Sequence, residues 1–170
     1  MSSLDRYLAG RTLILVSNRE PYEHLAPQRD STVPRVRRPA GGLVSALDPT
    51  MRRTHGTWVA WGSGTADRDT ADAGGRLMVP PEDPSYTLRR VWLDEADVEG
   101  YYLGFANTAL WPLCHMLVQH YRYRADHWDR YLAVNRRFAA AAAEEARRAP
   151  GAPVVWVQDY HFALAPAMLR

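Results

Sequence analysis

Leu13-Ile14-Leu15-Val16-Ser17-Asn18-Arg19 is the stretch whose reading decides the fold. Four consecutive large aliphatic residues with no apolar–polar alternation predict a strand buried on both faces, as in a mostly parallel sheet covered by helices. The run stops abruptly at small and polar groups. In open α/β sheets ligands sit outside the carboxyl ends of the strands, so Ser17, Asn18 and Arg19 stand where a binding site is expected. Arg19 is the first candidate to hold a ligand, although the segment alone fits a solvated arginine after a strand equally well.

Downstream, the segment from Glu20 to Pro39 carries Pro21, Pro27, Pro34 and Pro39 among charges and reads as a long irregular loop, with Arg35, Arg37 and Arg38 making its end basic. Loops of this length in compact domains are usually functional or disordered. Pro39-Ala40-Gly41-Gly42 then meets Leu43-Val44-Ser45-Ala46-Leu47-Asp48-Pro49, whose apolar positions 43, 44 and 47 fit a helix packed on a sheet. Two glycines at a helix start let backbone N–H groups approach an anion, helped by the helix dipole. A plain loop-to-helix turn accounts for the pair as well.

Thr57-Trp58-Val59-Ala60-Trp61 is a second strand, and Gly62-Ser63-Gly64-Thr65-Ala66-Asp67 after it fails the dinucleotide fingerprint because Asp67 stands where a small residue must pack helix on strand. Arg76 to Val79 and Tyr86 to Leu93 read as strands of mixed polarity, at sheet edges or in a hairpin. Asp94 caps a helix that opens with Glu95, Asp97 and Glu99. Next comes the densest aromatic cluster: Tyr101, Tyr102, Phe105 and Trp111. Helical spacing puts Tyr102, Phe105 and Ala109 on one face, and Pro112 limits the helix beyond Trp111. Such a stripe serves a core, or a sugar held against aromatic faces.

Cys114, His115 and His120 match no standard zinc spacing, so no metal is expected, and Cys114 reads as a small buried hydrophobe. A helix over Arg130 to Ala149 presents Tyr131, Val134, Asn135, Phe138 and Ala142 on one face, with Glu144 and Arg148 as an i,i+4 pair. Val154-Val155-Trp156-Val157 repeats the opening pattern of a buried parallel strand. At its carboxyl end stand Gln158, Asp159, Tyr160 and His161, where an Asp beside a His suggests acid–base chemistry and, equally, a helix cap at Asp159. The chain ends at Arg170 inside an apolar helical pattern, which reads as an interruption.

At 170 residues the chain is one ordinary domain, long enough to bury roughly 68–70% of its unfolded surface. A net charge of +2 gives no reason to expect nucleic acid. All 21 basic residues other than histidine are arginine, whose planar fork suits phosphate. The single cysteine excludes an internal disulfide and is compatible with the cytoplasm. The segment Met1 to Arg6 lacks a signal-peptide pattern and no run approaches the roughly 20 residues that span a bilayer, so no membrane role and a soluble, cytoplasmic protein are expected.

Ser17-Asn18-Arg19, Pro39-Ala40-Gly41-Gly42-Leu43, Gly56-Thr57-Trp58 through Trp61, Tyr101-Tyr102 through Leu110-Trp111-Pro112, Tyr131 through Asn135 and Gln158-Asp159-Tyr160-His161 together resemble, in order and spacing, the trehalose-6-phosphate synthase family. The resemblance implies an α/β, Rossmann-like, mostly parallel sheet with helices on both faces, in which residues 1–170 are the N-terminal, acceptor-binding half of a two-domain glycosyltransferase. Members join glucose from UDP-glucose to glucose 6-phosphate with retention of the α configuration. By resemblance Arg19 and Tyr102 hold the acceptor phosphate, Asp159 hydrogen-bonds and positions an acceptor hydroxyl, Trp111 walls the acceptor pocket, and Gly41 and Gly42 approach the donor diphosphate. No metal or other cofactor is implied, since positive groups and helix dipoles can stabilise departing UDP. The loop from Glu20 to Arg38 is longer than in family members whose glycine pair follows closely. The donor-binding second domain, with its arginine, lysine and ribose-binding carboxylate, is absent, so the chain is expected to hold half a site and to be inactive without that domain or a homologous chain. Two alternatives remain: a non-catalytic sugar-phosphate-binding or regulatory module, and a related glycosyltransferase using another phosphorylated acceptor.

Overall fold

The computed structural model describes residues 3–29 and 31–170. Met1 and Ser2, part of the N-terminal segment read above, and Asp30 of the long loop lie outside it. In chain order the elements are α1 (Ser3–Tyr7), β1 (Arg11–Val16), β2 (Glu23–Leu25), β3 (Arg35–Arg37), α2 (Gly42–Thr54), β4 (Thr57–Trp61), α3 (Asp67–Thr70), β5 (Arg76–Val79), β6 (Tyr86–Val91) and α4 (Glu95–Asp97). A π-helix (Val98–Leu110), α5 (Trp111–Cys114), α6 (Ala125–Arg148), β7 (Ala152–Val157), a 3₁₀ turn (Tyr160–Phe162) and α7 (Ala165–Met168) follow.

The main sheet runs β5-β6-β4-β1-β7, with β1 parallel to both β4 and β7, β4 parallel to β6, and β5 antiparallel at one edge. This is the mostly parallel α/β sheet the sequence predicts. Side chains alternate across a strand, so β1 feeds two cores. Ile14 and Val16 join Val59, Tyr101, Phe105, Tyr131, Val134 and Phe138 beneath the π-helix and α6, while Leu13 and Leu15 join Trp58, Leu88, Tyr86 and Met51 on the opposite face. Each fully buried aliphatic or Phe side chain contributes roughly 1.5–3 kcal/mol relative to exposure. The uninterrupted apolar run is the consequence of covering both faces.

Several expectations are corrected. The segment Glu20 to Arg38 is not wholly irregular: β2 and β3 pair antiparallel within it, Glu23 opposite Arg37. Helix α2 runs past Asp48-Pro49 to Thr54 with Pro49 inside it, and Val44, Asp48 and Met51 are buried along it. Strand β7 is parallel as expected, but among the described residues it is the edge of the sheet and Trp156 is 38% exposed. Cys114 is exposed, not buried. Helix α6 begins at Ala125 rather than at Arg130. Its face Tyr131, Val134, Asn135, Phe138 and Ala142 is buried as read, but Glu144 faces Arg76 and Arg89 instead of Arg148. The Asp94 cap forms a full capping box with Asp97. No helix among the described residues is long and apolar enough to cross a membrane.

The aromatic helix also differs from its simple reading. Between Val98 and Leu110 the hydrogen bonding is of the π type, i→i+5, which widens the turn beyond 3.6 residues. Tyr101, Phe105 and Ala109 therefore stack on the core side, and Tyr102 is left half-buried beside them.

Candidate functional site

A cavity of about 430 Å³ opens at the carboxyl ends of β1 and β7. Ser17, Asn18 and Arg19 reach it from β1, Gln158 to His161 from β7, Ala40 to Val44 from the start of α2, and Tyr102 from the π-helix. Arg19, Gly41, Gly42, Tyr102 and Asp159, all singled out from sequence, thus meet in one place. Trp111 is not among the lining residues: it follows the same helix outward, is 39% exposed, and stacks on His115 with ring centres 4.4 Å apart. Among the described residues no three His, Cys, Asp or Glu side chains converge as a metal site.

The strand end is held by side chains pointing inward. The Trp58 indole N–H donates to Ser17 Oγ at 2.7 Å, and Ser17 Oγ donates to the Arg19 carbonyl at 2.7 Å. Asn18 Oδ1 accepts from the Tyr101 hydroxyl at 2.9 Å. Ser17 and Asn18 are buried while Arg19 is exposed, and Arg19 has no acidic partner among the described residues. The basic end of the long loop is spent differently: Arg37 donates to Glu23 Oε2 at 2.7 Å and Arg38 to Asp48 Oδ2 at 3.0 Å.

Gly41 caps α2 with φ 147° and ψ 156°, a conformation essentially confined to glycine. The helix has no side-chain cap and no acid in its first turn, so its first N–H groups face the cavity side without an internal acceptor. A Cβ at Gly41 would stand 3.9 Å from Arg19 Nη1. Asp48 anchors this helix from behind, accepting from Tyr86 Oη at 2.7 Å, Tyr22 Oη at 3.1 Å and Arg52 Nε at 2.9 Å.

On the β7 side Asp159 adopts φ 73° and accepts the Tyr160 N–H at 2.8 Å, so it is a cap while its other oxygen lies 3.7 Å from His161 Nδ1. The His161 ring stacks on Tyr102 with centres 5.6 Å apart. Burial lowers the pKa of His161 and Arg19 lowers it further against the opposing pull of Asp159, which keeps the ring neutral near pH 7. Burial pushes the Tyr160 hydroxyl up to about 12. Helix α6 fixes this turn: Asn135 Nδ2 donates to the His161 carbonyl at 3.2 Å, and Tyr131 Oη donates to the Tyr160 carbonyl at 2.7 Å. The face of α6 was legible from periodicity, but its service to the β7 turn was not.

Sequence reasoning also passed over a buried charged group behind Arg19. Glu20, Asp67 and Arg90 are each at most 1% exposed, and Arg90 Nε donates to Glu20 Oε2 at 2.8 Å. Burial and a hydrogen bond with Asp67 push Glu20 up to about 8 despite Arg90. Burial also acts to raise Asp67, but hydrogen bonds from His24 and Glu20 and the charge of Arg90 prevail and hold it near 2. The only sequence signal was three charges in otherwise ordinary strand and loop contexts, 70 residues separating Glu20 from Arg90.

A mostly parallel sheet covered on both faces, with Arg19, the glycine-led start of α2 and Asp159 gathered at the carboxyl ends of its strands, defines a Rossmann-like α/β domain with a candidate ligand site where such folds carry one. The chain belongs to glycosyltransferase family 20, which it matches over residues 11–170. It is 45% identical over 162 residues to a trehalose-6-phosphate synthase of Mycolicibacterium gilvum (strain PYR-GCK), covering 95% of this chain and 31% of that relative. Its fold is similar to an α,α-trehalose-phosphate synthase (UDP-forming) from Burkholderia xenovorans solved in complex with glucose 6-phosphate, with a TM-score of 0.64 and 28% identity over 93% of this chain and 30% of that one. An E. coli protein solved with UDP-2-fluoro glucose is similar at a TM-score of 0.62 and 27% identity over 94% of this chain and 30% of its own. The chain therefore spans 31% of the first relative's length.

Proposed function

We propose that this chain is the acceptor-binding part of a UDP-forming trehalose-6-phosphate synthase, which transfers glucose from UDP-glucose to glucose 6-phosphate. The observation that carries this reading is the convergence of Arg19, Gly41, Gly42, Tyr102 and Asp159 from four separate segments on one cavity. Arg19 and the Tyr102 hydroxyl hold the acceptor phosphate, Asp159 receives a sugar hydroxyl, and the first N–H groups of α2 meet the donor diphosphate. Neutral His161 offers an uncharged face and a hydrogen-bonding nitrogen beside the sugar without competing with Arg19 for the phosphate. Trp111 enters the reading through resemblance alone, as a wall beyond the cavity described above.

Retention of configuration needs donor and acceptor held together, and holding two reactants in attack geometry is worth about 7–11 kcal/mol of barrier when fully realised. A donor-binding half, in the same protein or another chain, supplies that alignment, so the 170-residue chain alone forms no trehalose 6-phosphate. Calorimetric titration of the chain with glucose 6-phosphate, glucose, glycerol 3-phosphate and UDP-glucose tests the assignment. Glucose 6-phosphate is expected to bind best of the acceptors. Equal affinity for glucose and glucose 6-phosphate would remove the phosphate site from the proposal.

A further inference from the structure

The turn that carries Arg19 is gripped from behind by a guanidinium outside the cavity. Arg90, on β6, is 0% exposed. Its Nε donates to Glu20 Oε2 at 2.8 Å and its Nη2 to the Tyr22 carbonyl at 2.9 Å, so one rigid fork holds the chain on both sides of Pro21, directly after Arg19. Nη1 donates to the Asp67 carbonyl at 3.1 Å and Thr70 Oγ1 at 3.0 Å, which ties the same fork to α3. The second oxygen of Glu20 accepts the Ser63 N–H at 2.9 Å, so the carboxyl group is held at both ends.

Stability alone does not account for such a cluster. Buried charged clusters are often replaceable by apolar side chains of similar volume without loss of stability, whereas a planar fork with fixed donors specifies one geometry. On the cavity side the Ser17 hydroxyl already fixes the Arg19 carbonyl at 2.7 Å. The backbone of Arg19 is thus restrained from two directions while its side chain is left without an acidic partner among the described residues.

We propose that Arg90 is a positioning residue for the anion site: acting through Glu20 and the Tyr22 carbonyl, it sets the direction in which Arg19 enters the cavity. The inference rests on the reading of Arg19 as the phosphate-holding group. Arg90 touches no ligand, so its effect is specific to what Arg19 reads. Removing it lowers affinity for the phosphorylated sugar and leaves the sugar itself unaffected.

The test is calorimetry of the full 170-residue chain with glucose 6-phosphate and with glucose. The variants are Arg19→Ala, the double replacement Arg90→Met with Glu20→Leu, and the triple combination. Arg90→Lys keeps the charge that faces the buried Asp67 carboxylate at 2.8 Å but lacks the fork, and it is the second variant because the apolar pair leaves that carboxylate without its guanidinium. The double replacement and Arg90→Lys are each expected to lose about tenfold in glucose 6-phosphate affinity, the worth of one charged hydrogen bond at its lower end. The loss should vanish in the Arg19→Ala background, because the residue being positioned is gone. A loss of equal size with glucose, or one that persists in the triple variant, shows a general structural role and overturns the inference. If Arg19→Ala weakens glucose 6-phosphate and the Arg90 variants do not, the positioning role alone fails. If Arg19→Ala changes nothing, the phosphate reading of the cavity fails first and the positioning role falls with it.

Discussion

The Tyr101 hydroxyl donates to Asn18 Oδ1 at 2.9 Å across 83 residues of chain, tying the π-helix to the end of β1. Both groups are buried. The bond fixes the rotation of the helix, and with it the side on which the next residue, Tyr102, emerges into the cavity. Tyr101→Phe leaves the Asn18 oxygen without its partner, which is expected to destabilise the chain by about 1–3 kcal/mol. Urea unfolding should show a lower midpoint at an unchanged slope. A midpoint equal to that of the unsubstituted chain would mean that the bond contributes nothing.

Arg19 is the cavity's exposed arginine, and its guanidinium can grip phosphate oxygens in a bidentate way that a lysine ammonium cannot. Arg19→Ala is expected to weaken glucose 6-phosphate by roughly 10- to 150-fold, from about 1.5–3 kcal/mol for a hydrogen bond to a charged group. Arg19→Lys should recover only part of that, and Tyr102→Phe should lose less than Arg19→Ala because a neutral hydroxyl is removed. Glucose is the control ligand. Parallel losses for both ligands would detach Arg19 from the phosphate.

Asp159 combines a left-handed backbone with a cap on the Tyr160 N–H. Asparagine tolerates that conformation and keeps an oxygen for the cap, so Asp159→Asn should leave the thermal midpoint nearly unchanged. It should nevertheless weaken glucose 6-phosphate, since a charged acceptor for a sugar hydroxyl is lost. Asp159→Ala removes the cap and is expected to cost about 0.5–2 kcal/mol of stability. Full acceptor affinity in the asparagine variant would reduce Asp159 to a structural cap.

Glu20 gives the stability of the chain a pH dependence of definite sign. In the folded chain it holds its proton to about pH 8, against a reference value of 4.5, because burial disfavours the carboxylate. The native state binds the extra proton between these values, so the contribution of Glu20 is fully present below 4.5 and is lost as pH rises through about 8. Asp67, held near 2 against 3.8, works in the opposite sense and only at more acid pH. Chemical unfolding at pH 5 and pH 9 should show this decline in the unsubstituted chain. Glu20→Gln has no proton to lose, so the stability of the unsubstituted chain relative to this variant should fall toward high pH. A constant difference across that range would contradict the raised value.

Local pattern carried much of this architecture. The unbroken apolar run Leu13 to Val16 identified a doubly covered parallel strand, and the polar residues after it marked the edge where a site belongs. The buried face of α6 and the Asp94 cap were legible for the same reason: periodicity and capping chemistry are written within a few residues. The place of each element among its neighbours was not so written. Strand β7 has the composition of an interior strand and closes the order β5-β6-β4-β1-β7 among the described residues, a placement set by which segments pair. The aromatic helix could not be phased at 3.6 residues per turn, since its wider turn arises from i→i+5 bonds and sends Tyr101 inward and Tyr102 to the cavity.

Sequence by itself determined the class of fold, the strand ends at which the cavity opens, and the candidates Arg19, Gly41, Gly42, Tyr102 and Asp159. Tertiary structure alone decided that these five share one cavity and that Trp111 stands outside its lining. It also brought Arg90 and Glu20 together across 70 residues behind Arg19. The physical reason is that a residue's propensity and burial pattern act over one or two turns of chain, while a guanidinium's partners are set by the packing of separate strands. Charges that look solvated in sequence become a buried clamp only when the sheet closes around them.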